Sequence, residues 1–333
     1  MRTPKPHRRI ALQLACLSAV LLAAVACSSS GSGTFGTVTV TRTPSSSAGT
    51  TSAAPSSTSA SSSSRPLVKK TSVHLKTLNA DGATYGVGMP IIVFFQHRIT
   101  NAKDFAAATK VTANGKPITG AWYFEGSSYY KGYPIEAHWR PQQYWPKHSE
   151  IHVDLPVKGL SGGGSFAFDN SLTLDFLIGA ENIGVVNDTG QPHTLTIRSD
   201  GNLWGTFPVS LGADNTRTRN GIKVIMEKGR DISMRGPGYF DAHVKFTQRL
   251  TYDGEYLHAA PWNVSNIHNG VDSSNGCTNL LPADAKKIYG FLQVGDVIQY
   301  PNANGSRMQI GEGYGDWNVP WALWQGGGLV STT

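Results

Sequence analysis

The sequence predicts a mainly β protein whose folded part contains two domains. Short alternating or purely apolar runs recur along residues 70–300 and are separated by Gly, Pro and Asn clusters. Asp-Gly pairs stand between alternating runs, as they do in β-hairpins. Stretches with helical periodicity are scarce, so we expect only one or two short helices, in the second domain. The folded part, about 265 residues long, is of ordinary size for two domains.

The N-terminus, residues 1–27, has the pattern of an export signal. A basic segment precedes an apolar run from Ile10 to Ala26. The run ends L-A-A-V-A-C at Cys27, which resembles the lipobox of bacterial lipoproteins, with Ala24 where that pattern prefers Leu. Acylation of Cys27 would supply the two lipid chains that stable membrane anchoring needs. Ordinary cleavage and an uncleaved anchor helix are the alternatives, and this run is at the lower length limit for spanning a bilayer.

Residues 28–66 are almost wholly Ser, Thr, Gly, Ala and Pro. This composition cannot bury a core and is typical of a flexible tether. A Gly/Ser-type coil of this length spans an r.m.s. distance of roughly 35 Å. A lipid anchor followed by such a tether would hold the folded part at the outer face of the membrane, facing the cell wall.

The net charge argues against a nucleic-acid partner. The formal value of +7 falls to about +3 once the basic residues of the signal, Arg2, Lys5, Arg8 and Arg9, are removed. A strongly basic face or stripe is the electrostatic footprint of nucleic-acid binding, and this chain lacks the charge for one.

Residues 70–180 are expected to form a β-sandwich. The runs P-I-I-V-F-F, E-I-H-V-D-L and S-L-T-L-D-F, which begin at Pro90, Glu150 and Ser171, have the length of sandwich strands. Aromatics in the segment H-W-R-P-Q-Q-Y-W-P, residues 138–146, are expected in core and corner packing. No charge or histidine cluster in this half predicts chemistry.

Residues 181–300 are expected to form the second domain. Asp200-Gly201 and Asp253-Gly254 each stand between alternating runs and predict two hairpins. In the second hairpin, the period of two places Tyr256 and His258 on one face of the returning strand.

The second domain also contains the one convincing helix. It is predicted over Pro282–Leu292, with proline in the first turn, where its missing N–H costs nothing. Residues 301–333 are expected as a C-terminal extension that packs on the second domain.

A lone thiol stands in the polar stretch S-S-N-G-C-T-N. Cys16 and Cys27 lie in the signal, so Cys277 is the one unmodified cysteine of the mature chain. A free cysteine is usually buried as a small hydrophobe. Cys277 has no apolar neighbours in sequence, and an exported chain has no reducing cytosol to protect it. We therefore predict a nucleophile, which needs a base, and His258 on its strand is better placed than His268 in a turn-like segment.

An oxyanion site and a metal site are two further kinds of chemistry that this thiol and its neighbours suggest. The backbone N–H groups of Gly276 and Cys277 are expected to face a developing oxyanion, because glycine lets the chain approach closely. Cys277, His258, His268 and Asp272 are an alternative set of metal ligands, but their spacing matches no standard zinc arrangement, so no metal is expected.

These segments resemble the L,D-transpeptidases. Y-L-H-A-A-P-W-N and S-N-G-C-T-N-L-L-P are similar to the H-S-A-P-W-S and S-H-G-C-x-N-x-S-P signature of the actinobacterial branch. T-R-N-G at residues 218–221 and G-D-W-N-V-P-W at residues 315–321 extend the similarity. Residues 70–180 resemble the immunoglobulin-like domain that precedes the catalytic domain in that branch.

The resemblance implies an enzyme that needs no cofactor and acts on peptidoglycan stem peptides. Its cysteine attacks the diaminopimelate carbonyl of a tetrapeptide, D-alanine leaves, and an amine of a second stem resolves the thioester into a 3→3 cross-link. Cys277 aligns with the nucleophile and His258 with the general base. The resemblance implies carbapenem inhibition and a lid over residues 227–239. The implied substrate-binding residues are Met234, Tyr239, Trp262, Ser274, Asn275 and Asn279.

Two residues depart from the signature. Ala259 replaces a serine, and can still orient the base if the backbone carbonyl does so. Asn275 replaces a histidine and cannot carry a proton at neutral pH. Two alternatives to an active transpeptidase therefore stay open. One is a peptidoglycan-binding pseudoenzyme, and the other is an L,D-carboxypeptidase or protein-to-wall ligase that uses the same thioester.

Overall fold

The computed structural model describes residues 69–127, 129–236 and 239–333. The predicted signal, with Cys27, and the predicted tether lie outside the described residues, and both stay predictions. Among the described residues, no helix is long and apolar enough to cross a membrane.

Residues 69–180 form the predicted β-sandwich. Its strands are β1 (Thr71–Val73), β2 (Leu75–Thr77), β3 (Thr84–Tyr85), β4 (Ile91–Phe95), β5 (Lys110–Ala113), β6 (Lys116–Pro117), β7 (Gly120–Gly126), β8 (Ile135–Pro141), β9 (Ser149–Leu155), β10 (Phe166–Phe168) and β11 (Leu172–Ile178), with one short helix, α1 (Lys103–Ala108). One sheet has the order β3-β11-β9-β5-β6 and the other β2-β4-β8-β7, while β1 pairs with β10.

Side-chain alternation explains how the two sheets pack. Along β9, every second residue is buried, as expected for a strand with one face on a core. β4 is buried along its whole length. The rings of Trp139 and Trp145 lie 5.3 Å apart and are almost fully buried, which confirms the predicted core role of the 138–146 aromatics.

The sandwich does contain a cluster of charged side chains and a histidine, which the sequence did not indicate. Antiparallel pairing of β7 and β8 places Glu125 directly opposite Glu136, and His138 follows two residues later on the same strand. The three side chains are buried together. They are separated in sequence by a loop, so only the strand pairing brings them together.

The second domain is built on one nine-stranded sheet with the order β15-β20-β12-β13-β14-β19-β18-β17-β16. Its elements are β12 (Asn182–Asn187), β13 (His193–Ser199), β14 (Asn202–Ser210), β15 (Gly221–Val224), β16 (Glu227–Gly236), β17 (Tyr239–Arg249), β18 (Tyr256–Ala259), α2 (Val264–Asn269), β19 (Thr278–Leu280), α3 (Pro282–Phe291) and β20 (Val297–Tyr300), and a short helix, α4 (Trp321–Trp324), follows near the C-terminus.

Both predicted hairpins are present. Asp200 and Gly201, which join β13 to β14, have φ of +50° and +85°. A two-residue hairpin turn of this kind requires positive φ at both central positions. Asp253-Gly254 lies in the connection between the antiparallel strands β17 and β18. The predicted helix is confirmed as α3, with Pro282 in its first turn.

The C-terminal extension contacts both domains. Its first part packs on the second domain as expected, where the Asn318 side chain accepts the N–H of Ile222 at 2.8 Å. Its last part packs on the sandwich instead. There the indole N–H of Trp324 donates to the carbonyl of Ala121 at 2.8 Å, and Val330 is buried in the sandwich core. The described residues accordingly belong to one compact unit.

Candidate active site

Cys277 and His258 lie on neighbouring strands. Cys277 directly precedes β19, which pairs in parallel with β18, and His258 on β18 is in register with Asn279. Both side chains are almost fully buried and line the same cavity of about 270 Å³. The strand pairing therefore brings together the two residues that the sequence predicted as nucleophile and base.

The His258 ring is held in one tautomer. Its Nδ1–H donates to the carbonyl of Ala259 at 2.9 Å, and a carbonyl can only accept, so the lone pair on Nε2 is the one that can take a proton. Burial lowers the pKa of His258, which keeps the ring neutral. The ring of Trp262 stacks on it at 5.9 Å. The contact is made by the backbone carbonyl of Ala259, so the alanine that replaces the signature serine keeps it.

The Cys277 side chain is a neutral thiol at rest. Burial raises its pKa to about 12. Its Sγ–H donates to the carbonyl of Gly254 at 3.5 Å. A neutral thiol and a neutral imidazole in one cavity predict that the proton moves to His258 as the sulfur attacks, rather than before.

Local hydrogen bonds shape the loop that carries the thiol. Gly276 has φ of +108°, a conformation that favours glycine. The hydroxyl of Ser274 accepts the N–H of Gly276 at 3.1 Å and donates to the carbonyl of Cys277 at 2.6 Å. A substrate oxyanion would therefore compete with Ser274 for the Gly276 N–H, and the oxyanion role of Gly276 stays a prediction.

A second layer of contacts anchors this loop to the segment after β14. The hydroxyl of Thr218 donates to the carbonyl of Gly276 at 2.9 Å and accepts the N–H of Gly212 at 2.8 Å. The hydroxyl of Thr216 donates to the carbonyl of Ser274 at 2.7 Å. The T-R-N-G segment noticed in the sequence thus begins with a residue that holds the nucleophile loop in place.

An ion pair is buried behind the loop. Lys223 is fully buried and bonds to a carboxylate oxygen of Glu255, whose other oxygen accepts the N–H of Arg219 at 2.7 Å. The Cγ of Glu255 lies 3.5 Å from the place where a Cβ on Gly276 would stand. Sequence reasoning missed this pair, since neither residue belongs to a recognisable motif.

The predicted substrate-binding residues are mostly in the cavity wall. Met234, Trp262, Ser274, Asn275 and Asn279 all line it. The Oδ1 of Asn279 is buried and has no hydrogen-bond partner among the described residues. Asn275, in contrast, is exposed.

The backbone of Tyr239 begins β17, but its side chain lies outside the described residues. Residues 227–236 and 239–249 form the hairpin β16–β17, which occupies the predicted lid segment and brings Met234 to the cavity.

Other polar residues of the cavity were not predicted. They are Asp241, Asn263, Asn266 and Ser273. The Nδ2 of Asn266 donates to the side chain of Asn263 at 2.7 Å and to that of Ser273 at 3.1 Å. Asp241 is directly opposite Met234 in the β16–β17 register, so its position could have been found only from the strand pairing.

The alternative metal-ligand set is not assembled. Neither His268 nor Asp272 is in the cavity wall with Cys277 and His258. His268 is exposed, in the last turn of α2 rather than in the predicted turn. The Asp272 carboxylate instead accepts the N–H of Leu211 at 2.7 Å.

Comparisons with known proteins match two regions of the chain. Residues 33–161 match the bacterial Ig domain, and residues 181–299 match the L,D-transpeptidase catalytic domain. L,D-transpeptidase 2 of Mycobacterium tuberculosis is 31% identical over 257 residues, which cover 74% of this chain and 60% of the relative. L,D-transpeptidase 5 of the same species is 32% identical, over 76% of this chain and 57% of the relative. The chain thus spans about 60% of the length of these two relatives.

Solved structures of L,D-transpeptidases superpose on this chain. The L,D-transpeptidase LdtMt1 in complex with imipenem superposes with a TM-score of 0.55 at 27% identity, over 68% of this chain and 97% of that one. An L,D-transpeptidase from Mycobacterium smegmatis gives 0.53 at 26% identity, over 68% and 98%. Together these similarities show an L,D-transpeptidase catalytic domain over residues 181–299, preceded by a bacterial Ig domain.

Proposed function

We propose that this protein is a peptidoglycan L,D-transpeptidase that forms 3→3 cross-links through a thioester on Cys277. The observation that carries the proposal is the pairing of a buried thiol with a tautomer-locked histidine in one cavity of an L,D-transpeptidase catalytic domain. Nucleophilic catalysis by cysteine needs these two members. The substrate would be the stem peptide of peptidoglycan, and the chemistry requires no cofactor.

The first half of the reaction is acylation. Nε2 of His258 takes the thiol proton while Sγ of Cys277 attacks the carbonyl of the third residue of the donor tetrapeptide. The tetrahedral intermediate collapses as the C–N bond to D-alanine breaks. The imidazolium then gives its proton to the leaving nitrogen, so D-alanine departs with a neutral amine and a thioester remains on Cys277.

The second half transfers the acyl group. The side-chain amine of the third residue in a neighbouring stem attacks the thioester carbonyl, and His258 accepts its proton. The C–S bond breaks, the proton returns to sulfur, and an amide cross-link is released.

Polar groups in the cavity wall suit this acceptor. Asn279 offers an unpartnered amide oxygen, and Asp241 offers a carboxylate that attracts an ammonium group. The contacts of Ser274 limit its own part in binding, because its hydroxyl is occupied within the loop.

Acylation by a carbapenem tests the nucleophile. One relative of known structure is complexed with imipenem. We expect the intact mass of the wild-type protein to increase by one imipenem adduct and that of Cys277→Ala to stay unchanged. Cys277→Ser serves as a matched control for packing. An adduct that persists in Cys277→Ala, or none on the wild type, contradicts the proposed role of Cys277.

Product analysis separates transpeptidation from the two alternatives. Incubation with a disaccharide tetrapeptide is expected to release D-alanine and to yield a cross-linked dimer. Tripeptide without dimer would identify an L,D-carboxypeptidase, and binding without any product would identify a pseudoenzyme. A ligase would require an added protein amine before any conjugate appears.

We further propose that the protein is a lipoprotein anchored at the outer face of the cytoplasmic membrane. The lipobox-like segment ending at Cys27 and the tether over residues 28–66 support this location. Labelling cells with a palmitate analogue is expected to mark the wild-type chain and not Cys27→Ala. Equal labelling of both would contradict an anchor on Cys27.

A further inference from the structure

Three ligand-type side chains converge inside the sandwich, away from the thiol. Glu125 on β7 and Glu136 on β8 are directly opposite in the antiparallel register, and His138 follows on the same face of β8. Their exposed fractions are 5%, 2% and 0%. One oxygen or nitrogen of each lies within 4.8 Å of the other two. Two facing carboxylates repel each other, and burial removes the water that would screen them.

Most of the inward-facing atoms lack a protein partner. Both carboxylate oxygens of Glu125 and the Nε2 of His138 make no hydrogen bond to any described residue. The Oε2 of Glu136 accepts the hydroxyl of Ser127 at 2.6 Å, which turns Oε1 toward His138. Buried polar atoms of native proteins nearly always have partners, so this concentration of unpartnered atoms calls for an additional bound species.

Asp316 sets the tautomer of this histidine. The Nδ1 of His138 lies 2.7 Å from Oδ1 of Asp316, and both side chains are fully buried. Nδ1–H donates to the carboxylate, and although burial alone would lower the pKa of His138, Asp316, Glu136 and Glu125 raise it well above its usual value, so a cation at Nε2 would displace a proton. A carboxylate that holds one ring nitrogen while the other binds a metal is a recurrent arrangement around histidine ligands.

The two distances from His138 to the carboxylates fit a tetrahedral cation. Nε2 of His138 is 3.5 Å from Oε1 of Glu125 and 3.5 Å from Oε1 of Glu136. A tetrahedron with bonds of about 2.1 Å, the usual length for Zn²⁺ with nitrogen and oxygen ligands, has edges of about 3.4 Å. We propose that Glu125, Glu136 and His138 bind a divalent cation of the zinc type, with one coordination position left for water.

The surroundings provide both access and a structural role. Glu136 also lines a cavity of about 230 Å³, which offers an entry path. The positive charge of Arg249, which also lines this cavity, is paired with Glu227 at 3.1 Å. Since Asp316 belongs to the C-terminal extension, a cation on His138 would stabilise the contact between the sandwich and that extension.

Protons are the competing way to neutralise the cluster. Burial raises the pKa of Glu125 to about 8, so a protonated carboxyl could replace the cation. The two cases differ in what they predict when zinc is added.

Metal binding to the full-length, untagged chain, with Cys16 and Cys27 replaced by alanine because their thiols would also bind zinc, tests the proposal. The Cys277→Ala background removes the thiol, which itself binds zinc. After treatment with EDTA, calorimetric titration with ZnCl₂ is expected to show one Zn²⁺ per chain, and zinc at about a hundredfold excess over Kd should raise Tm by about 5–10 °C. Glu125→Gln should weaken binding by about tenfold or more. His152→Gln, at an exposed histidine of the same sandwich, should leave it unchanged.

Each contrary result overturns the site. No uptake of Zn²⁺ would mean that protons neutralise the cluster, and equal affinity in Glu125→Gln would place the metal elsewhere. If Glu125→Gln fails to fold, Co²⁺ added to the parental Cys277→Ala chain decides the question. Strong visible absorption, typical of four-coordinate Co²⁺, supports the site, and the weak absorption of octahedral Co²⁺ refutes it.

Discussion

Thr218 is the residue whose replacement tests how the nucleophile loop is held. Its hydroxyl is buried, donates to the carbonyl of Gly276 and accepts the N–H of Gly212. Thr218→Val keeps the shape of the side chain and removes both bonds. Each buried backbone group left unsatisfied costs about 1–3 kcal/mol, so the free energy of unfolding should fall by about 2–6 kcal/mol. A small displacement of Cys277 should also slow imipenem acylation by about tenfold or more.

Urea unfolding and time-resolved intact mass measure the two effects. Thr218→Ser retains the hydroxyl and should recover most of both. Thr216→Val is the matched control, because the carbonyl of Ser274 keeps the N–H of Ala213 as a second donor, and its cost should be about 1 kcal/mol. If Thr218→Val lowers the unfolding free energy no more than Thr216→Val and acylates at the wild-type rate, the anchoring role of Thr218 is refuted.

Three other predictions concern the same site. The acylation rate should rise with pH through an apparent pKa below 6.5, as His258 loses its proton. The rate should then stay level to about pH 9, because burial raises the pKa of Cys277 to about 12. A rise centred at pH 8–9 would instead indicate thiolate formation before attack. Lys223→Met should lower the unfolding free energy by about 3–5 kcal/mol in urea, because it leaves Glu255 charged, buried and without its cation, and adding Glu255→Gln should restore much of it; a loss below about 1 kcal/mol would contradict this account. Asn275→His should change the imipenem acylation rate by no more than about twofold, since residue 275 is exposed, and a large gain would show that Asn275 limits proton transfer.

Local patterns predicted the elements of the catalytic domain well. The Asp200-Gly201 turn and the helix at Pro282 were found because their signals lie within a few consecutive residues. The need of a cysteine nucleophile for a base pairs Cys277 with His258 from the sequence alone, and β18 and β19, at which they lie, are neighbours in the sheet.

Features that depend on pairing between distant strands were not predictable from one sequence. Asp241 reaches the cavity only because β17 returns along β16. Glu125 and Glu136 look like ordinary charged residues until β7 and β8 pair and the extension that carries Asp316 covers them. The contact of residues 320–333 with the sandwich was missed for the same reason, since neither partner has a pattern that names the other.

That last contact orders the folding of the chain. The sandwich is made first, yet part of its core, Val330, is made almost last. The N–H of Phe124 on β7 also donates to the carbonyl of Gly327, and the N–H of Leu329 donates back to the carbonyl of Phe124. A chain under synthesis therefore cannot complete the first domain until the second has been made, which delays the finished fold until nearly the whole chain is available.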